Sequence, residues 1–179
     1  MLEKGRYTVL EGLDGIGKGV VQKVIEDYEE EKGKTLRDGK MSLAEFLFDA
    51  QESFEMDPNV KKGKYLLTVY EPSYFGVGLA IREEIIANNK RNYSSDTQIQ
   101  IFSLDRLIQD RRVVIHYLKN WQDVLKVRNV TSTFGYQYLV ASKEGIPIEK
   151  IRRKILEQEI GVLPIAELKA SILLTSIPL

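Results

Sequence analysis

The residues best placed to do chemistry lie near the start of the chain, where Tyr7 to Gln22 reads YTVLEGLDGIGKGVVQ. Within it, Gly12-x4-Gly17-Lys18 has the spacing of a phosphate-cradling loop. Glycines let such a backbone curl until successive N–H groups converge on anionic oxygens. The helix predicted to follow adds its own free N–H groups and the positive end of its dipole. Gly12, Leu13, Asp14, Gly15, Ile16, Gly17, Lys18, Gly19 and Val20 are therefore the candidate nucleotide-binding residues, with Lys18 reaching for the β- and γ-phosphates. Gly19 stands where these loops carry a Ser or Thr hydroxyl that ligates Mg²⁺.

The elements that must hold this loop follow from apolar patterning. Tyr7 to Leu10 is a short β-branched apolar run, so it predicts a buried strand. Val20, Val21, Val24, Ile25 and Tyr28 recur at helical spacing and predict a helix to about Lys32, closed by Gly33. The charged stretch from Thr35 to Lys62 reads as an insertion. In it Ser42 and Glu45 form a capping box, and Leu43, Phe46, Leu47 and Phe54 form an apolar stripe. Tyr65 to Tyr70 predicts a second strand, stopped by Glu71-Pro72, and Tyr74 to Asn88 a helix with Leu79, Ile81, Ile85 and Ile86 inward. Ser95 and Gln98 cap a long helix to about Leu118, with Ile101, Leu104, Leu107 and Ile108 as its buried stripe. Asp123 to Val127 reads as a third strand, Thr131–Ser142 and Pro147–Ile160 as helices, and Ser171 to Ile177 as a fourth strand.

Strands alternating with helices imply an α/β fold, a parallel sheet covered on both faces, with four strands visible. At 179 residues the chain suits a single domain. Ligands bind such sheets at the carboxyl ends of the strands. Glu11–Gly19, Glu71–Gly78 and Arg128–Gln137 are therefore the segments to search. Lys plus Arg and Asp plus Glu both number 26, so no global field favours nucleic acid or acidic lipid. The absence of Cys excludes disulfides and thiolate metal sites and fits a reducing, cytoplasmic setting. No apolar run approaches the roughly 20 residues of a membrane span.

Four segments in order give this frame a more specific reading. They are EGLDGIGKG at Glu11–Gly19, Glu71-Pro72 with Gly76, Gly78 and Ile81-Arg82, Phe102-Ser103-Leu104-Asp105-Arg106, and Arg128 with Ser132-Thr133-Phe134-Gly135-Tyr136-Gln137. Together they resemble the thymidylate kinase family across nearly the whole chain, in a divergent form similar to archaeal and small-genome members. The resemblance implies a P-loop NTPase or kinase-like fold, ATP and Mg²⁺ as cofactors, dTMP as phosphoryl acceptor and a homodimer through the Tyr74–Asn88 and Ser95–Leu118 helices. It implies catalytic roles for Lys18, Asp14 and Arg128. Asp14 would accept the 3′-hydroxyl of the acceptor, Arg82 and Arg128 would hold its phosphate, and Tyr136 would wall the sugar. Phe102 would stack on the base, Arg106 would donate to thymine O4, and Thr133 and Gln137, one helical turn apart, would meet the base edge.

Three positions depart from the family pattern. Gly19 and Val20 lack hydroxyls, and Val127 replaces the Asp that precedes the family's strand-end Arg, which leaves Asp14 and Glu71 (with Glu11 nearby) as candidates to hold the metal through water. The family also carries an Arg-bearing lid, a helix and a fifth strand after the fourth, and the expectation here is of a domain without them. Two other readings share these residues. One is a catalytically impaired nucleotide-binding homologue. The other is a deoxynucleoside kinase of the same superfamily, for which Arg82 and Arg128 would have no acceptor phosphate to hold.

Overall fold

The structure, a computed structural model, describes residues 5–40 and 60–159, and the backbone of 170–174. The expected capping box at Ser42 and Glu45 and the stripe of Leu43, Phe46, Leu47 and Phe54 lie outside the described residues, as does everything after Leu174.

Five strands form one wholly parallel sheet: β1 (Tyr7–Glu11), β2 (Thr35–Asp38), β3 (Tyr65–Tyr70), β4 (Asp123–Val127) and β5 (Ala170–Leu174). Their order across the sheet is β2-β3-β4-β1-β5. The four strands expected from patterning are present. The additional one, β2, lies at the start of the charged stretch read as an insertion. It is an edge strand with exposed or half-buried residues, so TLRD carries no apolar alternation to announce it.

Period-two alternation builds two cores. On one face Tyr7, Val9, Leu67, Val69 and Val124 pack beneath Val113, Val114, Tyr117 and Leu118. On the other, Leu10, Leu66, Leu125 and Val127 meet Val21 and Ile25 of α1 (Lys18–Glu31). The rest of the expected α1 row, Val20, Val24 and Tyr28, is exposed. A third cluster, Ile99, Ala141, Ile151 and Ile155, joins three helices beside the sheet. These are α3 (Ser95–Gln109), α5 (Val130–Lys143) and α6 (Ile148–Glu159).

Two helices differ from their patterned expectation. The segment after β3 is a short helix α2 (Val77–Ile81) that widens into a π turn over Arg82–Ile86. Ile81 is buried, but Leu79 and Ile86 are exposed rather than inward. Ser94, not Ser95, caps α3, accepting from Thr97 N. After Gln109 a π turn over Asp110–Val114 leads into α4 (Ile115–Lys119). Of the expected stripe of Ile101, Leu104, Leu107 and Ile108, Ile108 packs against the first core but Leu104 is 47% exposed, while Ser103, Asp105, Arg106 and Gln109 are buried. The face of α3 toward the sheet is polar because it meets charged groups there rather than oil.

The chain leaves β1, runs out to β2, returns through β3 and β4 to abut β1, and crosses to β5 on its far side. That reversal opens a crevice at the carboxyl ends of β1 and β4, where ligands of open α/β sheets bind.

Candidate active site at the sheet's carboxyl edge

The phosphate loop occupies the end of β1 as expected. Gly15 and Gly17 have φ of +81° and +89°, a left-handed backbone that a side chain disfavours, and Gly17 leads directly into α1. Lys18 is buried against the loop. Its ammonium donates to the carbonyls of Gly12, at 2.8 Å, and Leu13. Burial, and then the charge of Arg128, lower its pKa.

Arg128 follows β4 with φ of +74°, and its N–H donates to Leu10 O at 2.8 Å, which ties it to the end of β1. Its guanidinium pairs with the Asp14 carboxylate and donates to the Tyr136 hydroxyl at 3.2 Å. The Tyr136 hydroxyl donates to the other Asp14 oxygen, closing a triangle. Asp14 is held below its usual range by that Tyr136 bond first and by the Arg128 charge, against partial desolvation.

A cavity of about 560 Å³ opens beside this triangle, within the range of small-molecule sites. Asp14, Arg128 and Tyr136 stand at one part of it, with Glu71, Pro72 and Arg82 at the end of β3. Phe102 and Gln98 of α3 and Thr133, Gln137 and Val140 of α5 supply another wall. Of the eight residues expected to meet the acceptor, seven line this cavity. Arg82 donates Nε to Ser73 O at 3.0 Å and Nη2 to Pro72 O, with its guanidinium 3.7 Å from the Tyr74 ring centroid.

Arg106 is the exception. It is 1% exposed and does not line the cavity. Its Nε and Nη2 grip Glu71 at 2.9 and 2.8 Å, Nη2 also donates to Thr133 Oγ1 at 2.7 Å, and Nη1 pairs with Glu159. Each nitrogen of the fork has a protein partner, and the bond from Nη2 orients Thr133. Glu71 is likewise committed, since Lys126 also pairs with it at 2.7 Å and with Asp110 at 2.7 Å. Burial works to raise the Glu71 pKa, but Arg106 and Lys126 outweigh it and the carboxylate is held low. Asp110, buried with one cation, is instead pushed up by desolvation.

These commitments bear on metal binding. Asp14 is tied to Arg128 and Tyr136, Glu71 to two cations, and a Glu11 oxygen accepts from Ser132 Oγ at 2.7 Å. Gly19 and Val127 bring no oxygen in their side chains. Among the described residues no group of three or more His, Cys, Asp or Glu is arranged to hold a metal. The side chains present therefore do not fit a directly ligated Mg²⁺. The loop, by contrast, fits nucleotide phosphates.

Gln98, read from sequence only as a helix-capping residue, Ser132 and Lys143 also line the cavity and were not named as site residues. Ser132 falls inside the segment quoted for the resemblance. No local signal places Gln98 or Lys143 in a site, because only the packing of α3 against α5 brings them to the cavity. No helix among the described residues is long and apolar enough to cross a membrane.

No family model matches the chain. Thymidylate kinase of Prochlorococcus marinus (strain AS9601) is 29% identical over 135 residues, covering 75% of this chain and 52% of that protein. A protein named probable thymidylate kinase from Caldivirga maquilingensis is 26% identical over 145 residues, covering 81% and 54%. The chain thus spans about half the length of the curated relatives it matches. Among solved structures, thymidylate kinase from Ehrlichia chaffeensis aligns with a TM-score of 0.51 at 12% identity, over 97% of this chain and 90% of that one. Thymidylate kinase from Candida albicans aligns with a TM-score of 0.51 at 12% identity, over 96% and 84%. Those two likenesses carry the fold, and in sequence the chain is similar to thymidylate kinases at 26–29% identity.

Proposed function

We propose that the chain is a nucleoside monophosphate kinase that moves the γ-phosphate of ATP to dTMP, giving dTDP. The observation that carries this reading is the Arg128–Asp14–Tyr136 triangle, which stands where the phosphate loop meets the cavity. It puts a guanidinium and a carboxylate between a donor-phosphate cradle and a space of nucleotide size.

Phosphoryl transfer asks mainly for alignment and for positive charge around the migrating group. Lys18 and the loop N–H groups would hold the donor phosphates, while Arg128 and Arg82 would hold the acceptor phosphate. Asp14 would accept the sugar hydroxyl, exchanging its present bonds for that one. Phe102 offers an aromatic face to the base, and Thr133 and Gln137 its polar edge. The acceptor phosphate is already an anion at neutral pH, so no strong general base is required. Mg²⁺ would supply charge neutralisation on the nucleotide's phosphates; the side chains here leave its coordination to phosphate and water. Exposed Leu79, Ile86 and Leu104 lie on the two helices that the resemblance implies pair in a homodimer.

The test is ADP release from ATP with dTMP, dUMP, dCMP, dGMP and thymidine as acceptors. Turnover with dTMP is expected. Phosphorylation of thymidine but not dTMP would replace this reading with a deoxynucleoside kinase. Nucleotide binding without turnover would favour an impaired homologue, a reading that Gly19 and Val127 support.

A further inference from the structure

Arg82 joins the cavity wall with one edge of its guanidinium already engaged. Nε and Nη2 donate to two consecutive carbonyls, Ser73 O at 3.0 Å and Pro72 O. The Ser73 carbonyl is itself fixed, because Asp105 of α3 accepts from Ser73 N at 2.8 Å and from its Oγ at 2.6 Å. The other edge, Nη1 with the second N–H of Nη2, meets no protein acceptor among the described residues, and Arg82 lines the cavity. Two parallel donors of that kind match two oxygens of a phosphate. The carbonyls fix the edge of the fork, but its plane is set by Tyr74, whose ring centroid lies 3.7 Å from the guanidinium carbon. Tyr70 backs that ring edge-on, with centroids 5.5 Å apart and planes at 85°, and Gln22 of α1 donates to the Tyr70 hydroxyl at 2.9 Å. Tyr74 does not line the cavity, so whatever it does for a ligand passes through Arg82. Nor is it among the residues that carry the resemblance. A free arginine must be ordered by each ligand it binds, whereas a stacked one has lost that freedom beforehand.

We infer that Tyr74 is a positioning residue: its ring holds the Arg82 guanidinium flat, with the open edge presented to the acceptor's phosphate. The inference rests on the proposed reading of Arg82 as a phosphate-holding group.

Calorimetric titration of the purified chain with dTMP and with thymidine isolates the phosphate's share, since the two ligands differ only in that group. The wild-type chain should bind dTMP about tenfold or more tightly, the scale of a charge-assisted pair. Tyr74→Leu keeps an apolar side chain without a π face, so it should weaken dTMP about threefold to tenfold and leave thymidine unmoved. Tyr74→Phe keeps the ring and should retain the wild-type ratio, with thermal melts confirming that each variant folds. Arg82→Ala should lower the ratio too, and adding Tyr74→Leu to it should cost nothing more, because the two residues act as one. The inference is overturned if Tyr74→Leu weakens both ligands alike or neither, or if Tyr74→Phe loses as much as Tyr74→Leu. Each of these outcomes leaves the acceptor-phosphate reading standing when Arg82→Ala still lowers the ratio. A ratio unmoved by Arg82→Ala, or no wild-type preference for dTMP, removes that reading and this inference together.

Discussion

Arg128 and Asp14 are separated by 114 residues in the chain yet are ion-paired at the mouth of the cavity, with Tyr136 bonded to both. The pair is functional rather than structural in its expected effect. Asp14 has a side chain 71% exposed, so the pair contributes under about 1 kcal/mol to stability. What it contributes has a definite sign. Its folded pKa lies below the unfolded value, so the stabilisation is present above about pH 4 and is lost as pH falls through the folded pKa. Asp14→Asn should leave the melting temperature nearly unchanged while lowering kcat/KM for dTMP by on the order of 10²-fold, the scale of lost positioning.

Arg106 should behave in the opposite way. Removing it leaves the buried Glu159 carboxylate without its cation and Glu71 with Lys126 alone, and breaking such a network costs about 3–5 kcal/mol. Arg106→Ala is therefore expected to shift the urea midpoint strongly before any ligand is added. A variant with wild-type stability and selectively weakened dTMP binding would restore the base-reading role.

Gly19 offers a direct probe of the metal site. A Cβ built there meets nothing within 4 Å, so a hydroxyl-bearing residue fits. Gly19→Ser, inside α1, should stabilise the helix by up to about 0.5 kcal/mol. It should also make the affinity for a non-hydrolysable ATP analogue more dependent on Mg²⁺ than in the wild type. Titrations with and without Mg²⁺ measure that difference, and an unchanged dependence would show that position 19 is not the metal's neighbour.

At the opposite edge of the sheet, Asp123 and Glu29 share Arg6 and Lys34. Arg6 donates to Asp123 from Nε at 2.8 Å and from its backbone N at 2.6 Å, and to Glu29 at 2.7 Å; Lys34 pairs with both carboxylates. Burial pushes both carboxyls up, but these bonds and charges outweigh it and both pKa values are lowered. Their stabilisation is thus complete above the unfolded carboxyl range near pH 4 and disappears as the pH falls through the lowered folded values. Urea midpoints measured from pH 6 to pH 3 should fall, and Asp123→Asn should flatten the fall.

Much of the frame was legible because its causes are local. Asp123–Val127 emerges at its expected bounds, since its β-branched and apolar Val124, Leu125 and Val127 mark a buried strand even with the charged Asp123 and Lys126 among them. Glycine spacing announced the phosphate loop for the same reason, since Gly15 and Gly17 adopt the left-handed backbone that demands glycine. Strand β2 escaped because an exposed edge strand needs no alternation. The α3 stripe was misjudged because helical periodicity reports an apolar face, whereas α3 turns Arg106, Asp105 and Gln109 toward buried partners.

By itself the sequence determined a parallel α/β chain with a phosphate-loop motif: where β1 ends, where the loop curls, and which segments follow the strands. These are matters of backbone conformation and hydrophobic alternation, settled within a few residues. Only the tertiary structure decided which charges meet a ligand and which meet each other. Arg106 and Arg128 have the same chemistry, yet one is locked between Glu71 and Glu159 and the other faces the cavity with Asp14. The difference comes from partners 35, 53 and 114 residues away, set by how α3, α5 and α6 pack around the sheet.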